Sequence, residues 1–82
     1  MEQVSMAIYN FSEALEYLKA DKRVAREGWN GKNMWIALQK PNTKSKMTLP
    51  YIYMKCADGR FCPWLASQTD LLADDWMVIE DV

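Results

Sequence analysis

The sequence contains no histidine, only two cysteines and no long apolar run. Histidine is the commonest general base and metal ligand, and Ser-His and Cys-His nucleophile pairs require it. Its absence disfavours a hydrolytic enzyme, and two cysteines alone are too few ligands for a zinc site. We therefore predict a protein that is not an enzyme and that carries no metal and no cofactor.

The sequence also lacks a targeting signal and an excess of either positive or negative charge. No stretch approaches the roughly 20 apolar residues of a membrane-spanning helix, and residues 1–10 lack the basic start and apolar core of a secretory signal. Ten Lys and Arg residues stand against 11 Asp and Glu residues, giving a net charge of -1. Proteins that bind DNA or RNA through phosphates carry a basic excess. We expect a cytosolic protein with neither nucleic acid nor membrane as a partner.

Aromatic residues, in contrast, are abundant. The 82 residues include four Trp and four Tyr, which is more than one small core usually needs. Tryptophan and tyrosine concentrate at interfaces and around flat ligands. The composition therefore indicates a binding protein.

Local signals predict a single α+β ligand-binding domain over residues 10–82. Asn10 followed by Glu13 forms a capping-box pattern before apolar residues at helical spacing. Asp58-Gly59 lies between two β-rich runs and predicts a hairpin. An N-terminal helix should pack on a mainly antiparallel sheet of about five strands, in the order α-β-β-β-β-α-β. The predicted elements span residues 9–18, 23–26, 34–39, 51–56, 60–64, 67–74 and 76–80.

Two segments fall outside the predicted elements. We expect residues 1–9 to be a partly disordered leader. The stretch 40–49 has no periodicity and three lysines, and it is predicted to be a mobile surface loop.

Alternation within the strands predicts that both faces of the sheet are apolar. A two-residue hairpin loop divides the strand residues between two faces. One face then holds Ile52, Met54, Cys56 and Phe61, and the other holds Tyr51, Tyr53, Cys62 and Trp64. Because one short helix cannot cover both, we expect a homo-oligomer or a ligand against the face with Tyr51, Tyr53, Trp64 and Trp76.

The same register places Cys56 and Cys62 on opposite faces. A three-residue loop would instead set them diagonally. Neither arrangement puts them directly opposite, so no disulfide is expected. We interpret both cysteines as small buried or half-buried hydrophobic residues.

The turn at residues 26–32 combines groups that suit an anionic nucleotide. Arg26 supplies a guanidinium, Trp29 an indole plate and Asn30 an amide, while two glycines let backbone N–H groups approach a ligand. The alternative is a tight turn whose Trp packs on the core and whose Arg pairs with an acid. On this chemistry alone, the structural alternative is the more common outcome.

A second candidate region surrounds the start of the second helix. Trp64 precedes it, and phosphate is favoured where Ser67, Gln68 and Thr69 present free N–H groups at the positive end of the helix dipole. The alternative is that Ser67 and Asp70 only cap the helix. Asp70, Asp74 and Asp75 match no calcium loop, although one of them could accept hydrogen bonds from ribose hydroxyls.

Four blocks of sequence, taken together, resemble the Thoeris anti-defence protein two family of phages and prophages. The resemblance runs from about Asn10 to Glu80. The blocks are Asn10-Phe11-x-Glu13-Ala14-Leu15, Arg23-Val24-Ala25-Arg26-x-Gly28-Trp29-Asn30-Gly31-Lys32, Pro50-Tyr51-Ile52-Tyr53-Met54 and Pro63-Trp64-x-x-Ser67-Gln68-x-Asp70-Leu71-Leu72-Ala73-x-Asp75-Trp76.

The resemblance implies a non-catalytic sponge in the cytoplasm of an infected bacterial host. Members of the family form homotetramers and sequester the glycocyclic ADP-ribose signal of Thoeris systems. Some also hold cyclic oligonucleotides of the CBASS pathway at a separate site. The alternative function is a protein-docking or structural phage module that uses its aromatic sheet face.

With this resemblance, we predict a nucleotide pocket between protomers. Adenine would stack on Trp29 or Trp64, while Arg26 and backbone N–H groups near Ser67 would bind phosphates. Ribose hydroxyls would meet Asn30, Gln68 or an aspartate. The predicted ligand-binding residues are Arg26, Trp29, Asn30, Trp64, Ser67, Gln68, Thr69 and Asp75.

Overall fold

The computed structural model describes residues 2–4, 7–29 and 33–81, and these form six strands and two helices. The helices are α1 (Phe11–Lys19) and α2 (Gln68–Leu72). The strands are β1 (Glu2–Val4), β2 (Arg23–Arg26), β3 (Trp35–Gln39), β4 (Tyr51–Lys55), β5 (Phe61–Pro63) and β6 (Trp76–Asp81). The predicted α+β class and the leading helix of the domain are confirmed.

All six strands belong to one sheet in the order β1-β6-β2-β3-β4-β5, and each described pair is antiparallel. This is one strand more than the five predicted. The additional strand, β1, lies within the residues expected to form a leader. Three residues, Glu-Gln-Val, are too short to show strand alternation in a sequence. Whether the leader is partly disordered stays a prediction.

Helix α1 begins at the predicted capping box. The Asn10 side chain accepts a hydrogen bond from the Glu13 amide at 2.9 Å, and the Glu13 carboxylate accepts one from the Asn10 amide at 3.0 Å. The helix buries Ala14 and Leu18 against the sheet. Burying a leucine side chain stabilises the fold by about 1.5–3 kcal/mol, so these contacts fix the helix on one face.

Helix α2 is shorter than the predicted 67–74. Ser67 caps it as expected, but the chain turns extended at Ala73, where ψ is 149°. The predicted loop at 40–49 contains no described helix or strand. Within it, Asn42 and Ser45 form a small turn, because the Ser45 amide donates to the Asn42 carbonyl at 3.0 Å. The mobility of this loop stays a prediction.

The two faces of the sheet are both apolar, as predicted. We call the face under α1 the helix face; its buried cluster consists of Ala14, Leu18, Val24, Ile36, Trp76 and Val78. We call the other the open face, since its buried cluster contains no helix residue. That cluster consists of Ala25, Trp35, Ala37 and Ile79.

The register of the β4–β5 hairpin differs from the predicted one. Pairing of Tyr53 with Pro63 and of Met54 with Cys62 leaves a three-residue loop, in which Gly59 has a φ of 87°. A glycine at this left-handed position closes a hairpin with one residue more than the expected two. The shift by one residue moves every side chain of β5 to the other face.

This shift corrects the face assignments of Phe61, Cys62 and Trp64, and the alignment of β6 with β2 corrects that of Trp76. Phe61 pairs with Lys55 on the open face, beside Tyr53, whereas Cys62 joins Met54 on the helix face. Trp64 and Trp76, expected on the uncovered face, instead pack in the core beneath the helices. Trp76 is fully buried. The uncovered aromatic residues are therefore Tyr51, Tyr53 and Phe61.

Candidate functional site

Arg26, the last residue of β2, lies between two aspartates from the distant end of the chain. Its Nε donates to Asp75 Oδ1 at 2.8 Å, and its Nη1 donates to Asp70 Oδ1 at 2.9 Å. The three side chains are only 13–27% exposed. Charge-assisted hydrogen bonds of this kind are stronger than neutral ones. We refer to Arg26, Asp70 and Asp75 as the Arg26 cluster.

The cluster shifts the pKa of all three groups toward their charged forms. The hydrogen bond from Arg26 lowers the pKa of Asp75, against a smaller opposing effect of burial. Burial by itself would raise the pKa of Asp70, but hydrogen bonds from Arg26, Ser67 and Trp29 outweigh it and hold this pKa below its usual range. The hydrogen bonds to Asp75 and Asp70 raise the pKa of Arg26. One positive charge thus faces two negative charges.

The turn after Arg26 is bound to Asp75. The Gly28 amide donates to Asp75 Oδ2 at 2.9 Å, and the Glu27 amide donates to the Asp75 carbonyl at 3.0 Å. A Cβ at residue 28 would lie 3.0 Å from Asp75 Oδ2. Glycine therefore permits the close approach of backbone and carboxylate that holds this turn in place.

Trp29 follows this turn and is half-buried. Its ring meets Trp76 edge-on at 5.4 Å, and its Nε1 donates a long hydrogen bond of 3.4 Å to Asp70. The structure therefore shows the structural alternative for this turn, in which Trp29 packs on the core and Arg26 pairs with an acid. Asn30, the third predicted residue here, lies outside the described residues, as do Gly31 and Lys32.

Trp64 packs on the same buried tryptophan. Its ring lies 6.1 Å from Trp76 in a T-shaped arrangement and 6.0 Å from Phe11. The two candidate stacking residues, Trp29 and Trp64, therefore both contact Trp76 within one aromatic cluster. Sequence reasoning nominated both without indicating that they share a neighbour.

The start of α2 adjoins this aromatic cluster. Ser67 Oγ accepts from the Asp70 amide at 3.0 Å, and Asp70 Oδ2 accepts from the Ser67 amide at 3.1 Å. The capping alternative is therefore present, and both amides are engaged by it. Gln68 and Thr69 are exposed at the same helix start.

Asp70 connects the two predicted regions, although the sequence indicates it only as a helix cap or as one of three aspartates that could accept from ribose hydroxyls. Besides Arg26 and Ser67, its backbone carbonyl accepts from Trp76 Nε1 at 3.0 Å. The sequence marks Asp70 as the acid three residues after Ser67. Its partner Arg26 lies 44 positions away, so no local pattern indicates this contact. Among the described residues, no group of His, Cys, Asp or Glu could hold a metal ion.

A concave surface lies on the open face and includes Tyr51 and Tyr53, two residues of the face for which the sequence predicts a partner or a ligand. We call this cavity of about 360 Å³ the open-face groove; its lining residues are Gln39, Tyr51, Tyr53, Phe61, Cys62 and Pro63. The rings of Tyr53 and Phe61 meet edge-on at 5.6 Å. Beside them, the buried Trp35 indole N–H has no hydrogen-bond partner within the described part of the chain.

Comparisons with known proteins agree with the resemblance seen in the sequence. A family model described as a Thoeris anti-defense 2-like domain matches residues 9–79. The chain is also similar to "Thoeris anti-defense 2" of Bacillus phage SP01, at 37% identity over 83 residues. That alignment covers 85% of this chain and 93% of the relative. Over the described residues, neither helix is long and apolar enough to cross a membrane.

Proposed function

Because this chain belongs to the Thoeris anti-defense 2-like family, we propose that it disarms a bacterial Thoeris system by sequestering the glycocyclic ADP-ribose signal. It acts as a stoichiometric sponge in the cytoplasm of the infected host, so the effector is never switched on. A sponge must outcompete that effector, and we expect nanomolar affinity, about -12 kcal/mol.

The observation that best supports a nucleotide site is the Arg26 cluster and the tryptophan beside it. Trp29 is half-buried at the end of a turn that Asp75 holds through Gly28. A rigid, half-exposed indole is a suitable platform for a base, because its conformation requires no further ordering on binding. We propose that adenine stacks on Trp29.

The same geometry changes the role that we assign to Arg26. Two of its donors are engaged by carboxylates at 2.8 and 2.9 Å, so a phosphate would have to compete with both aspartates. We propose that Arg26 and Asp75 position the turn. The polar contacts of the ligand then fall to Asn30, to the exposed side chains of Gln68 and Thr69, and to backbone N–H groups near Ser67.

The function requires no bond to be cleaved. The chain has no histidine, and we propose that the ligand leaves the protein as it entered. Purified protein incubated with excess glycocyclic ADP-ribose should bind a fixed number of molecules per chain. Heat denaturation should release the intact compound. Accumulation of linear ADP-ribose beyond one equivalent per chain would show an enzyme instead of a sponge.

We further propose that the protein is a homo-oligomer, in agreement with the tetramers that the resemblance implies. Tyr51 and Phe61 are 41% and 64% exposed on a face whose buried cluster contains no helix residue. Small chains commonly bury such surfaces against further copies.

A separate site for cyclic oligonucleotides is tested by a second calorimetric titration after the first site is saturated.

The open face also favours a second candidate function, docking of a host or virion protein. The specific observation is the exposed aromatic pair that borders the open-face groove. One calorimetric titration separates the two candidates, because a sponge binds glycocyclic ADP-ribose and a docking module does not. A protein that binds no immune nucleotide at all would favour the docking function.

A further inference from the structure

Cys56 and Cys62 lie diagonally across the β4–β5 hairpin with their side chains in contact. Their Sγ atoms lie 2.8 Å apart, and both residues are free cysteines with half-buried side chains. Met54 pairs with Cys62, and the Cys56 amide donates to the Arg60 carbonyl at 2.8 Å. The two cysteines are therefore diagonal neighbours on one face of the hairpin, and their Sγ atoms are in contact.

The hairpin loop holds this arrangement in place. The Gly59 amide donates to the Cys56 carbonyl at 2.9 Å, and Asp58 accepts from the Arg60 amide at 2.9 Å. The Asp58 carboxylate also pairs with the Arg60 guanidinium at 2.8 Å. These contacts fix a three-residue loop, and the register of that loop brings the two sulfur atoms together. They are less than about 1 Å from the S–S bond length of about 2.05 Å.

We propose that Cys56 and Cys62 are a site of reversible oxidation, at which a low-molecular-weight disulfide converts the two thiols into an intramolecular disulfide. The product would covalently connect β5, an edge strand of the sheet, to β4. Glutathione disulfide is the oxidant chosen for the test. The proposal does not depend on the nucleotide ligand.

The chemistry is a pair of thiol–disulfide exchanges. One cysteine thiolate attacks glutathione disulfide, forms a protein–glutathione mixed disulfide and releases one glutathione thiolate. The second cysteine then attacks the protein sulfur of that mixed disulfide, forms the Cys56–Cys62 bond and releases the second glutathione. Two protein thiols are oxidised, one glutathione disulfide is reduced, and the two thiol protons end on the two glutathione molecules.

The Cys56 thiol is a weak nucleophile at neutral pH. The hydrogen bond with Cys62 raises the pKa of the Cys56 thiol, which keeps that thiol protonated at neutral pH. The second exchange step is favoured by proximity, because the two sulfurs are already in contact. The disulfide would lock a hairpin that carries Tyr51, Tyr53 and Phe61 of the open-face groove.

Mass spectrometry of the full chain tests the proposal. Reduced protein is incubated with excess glutathione disulfide, quenched in acid and measured under denaturing conditions. We expect a monomer mass lower by two hydrogen atoms, no glutathione adduct, and no thiol open to alkylation. Trypsin cleaves after Lys55 and Arg60. Peptides 56–60 and 61–82 should therefore remain joined until a reductant separates them.

The single variants Cys56→Ser and Cys62→Ser are the matched controls. Each should stop with one glutathionyl group, because the resolving thiol is missing. A persistent glutathione adduct on the wild-type chain, a disulfide-linked dimer, or two unreacted thiols would overturn the proposal. The wild-type chain alone decides this, so the test stands if either variant folds poorly. Hydrogen exchange of the β5 amides should slow on oxidation. Unchanged exchange would show that the disulfide does not hold β5 to the hairpin.

Discussion

Arg26 and Asp70, 44 positions apart in the chain, are joined by a 2.9 Å bond between Nη1 and Oδ1. The same aspartate closes the cap of α2 through Ser67. One side chain thereby connects the end of β2 to the start of α2. Trp29 lies between these two elements and also donates to Asp70. The arrangement of the candidate site therefore depends on the Asp70 carboxylate.

Asp70→Asn should lower the free energy of unfolding by about 1.5–3 kcal/mol, because it removes the charge from a largely buried hydrogen bond with Arg26. Chemical denaturation followed by fluorescence measures the change. Asp74→Asn is the matched control, since Asp74 is exposed. Equal stability of the two variants would contradict a central role for Asp70.

Acid should destabilise the protein through the Arg26 cluster. The pKa values of Asp70 and Asp75 lie below the ordinary range in the folded state, so the unfolded state binds protons more readily. Their contribution is fully present above the unfolded pKa, about 3.9, and is lost as pH falls through the folded values. Urea unfolding between about pH 7 and pH 3 should show a steeper loss for wild type than for Asp75→Asn. Parallel curves would contradict this linkage.

Trp29→Ala should weaken binding of glycocyclic ADP-ribose by about 1–3 kcal/mol, the value of one base stacked on an aromatic ring. Because Trp29 also packs on Trp76, some stability should be lost, though less than the about 3–5 kcal/mol of a fully buried Trp. Calorimetric titration and thermal melting must be run on the same variant. Unchanged affinity in a stable Trp29→Ala oligomer would refute the assignment and transfer it to Trp64.

Phe61→Asp should dissociate the proposed oligomer, because it places a charge in the centre of the apolar contact. Size exclusion with light scattering should report a multimer for wild type and a smaller species for the variant. Leu65→Asp is the control, since Leu65 is 92% exposed and lies outside the strands. A monomeric wild-type protein at micromolar concentration would contradict the argument from the open face.

The sequence could predict those features that rest on short-range signals. The capping box at Asn10 and Glu13 and the cap at Ser67 need only three or four residues, and both are confirmed. The hairpin was also correct, but its loop length was not. A single residue more in that loop reversed the positions of Phe61 and Cys62. Asp-Gly indicates a turn, but by itself it does not determine whether the hairpin loop has two or three residues.

Contacts between distant segments could not be predicted. Arg26 was nominated as a ligand-binding residue because a guanidinium suits phosphate, and its pairing with an acid was left as an alternative. Which acid it meets depends on how β2 and β6 align, with Arg26 opposite Trp76. That alignment brings Asp75 beside Arg26. Local patterns carry no information on such a register.

The two outermost strands, β1 and β5, have three residues each. Pro63 in β5 has no backbone N–H to offer to another chain. Short edges, one of them with a proline, give little template for edge-to-edge pairing, the route by which exposed sheets grow into fibrils. The proposed sponge captures its ligand stoichiometrically, so it must be abundant. These short edges let it accumulate to high concentration without extending its sheet from chain to chain.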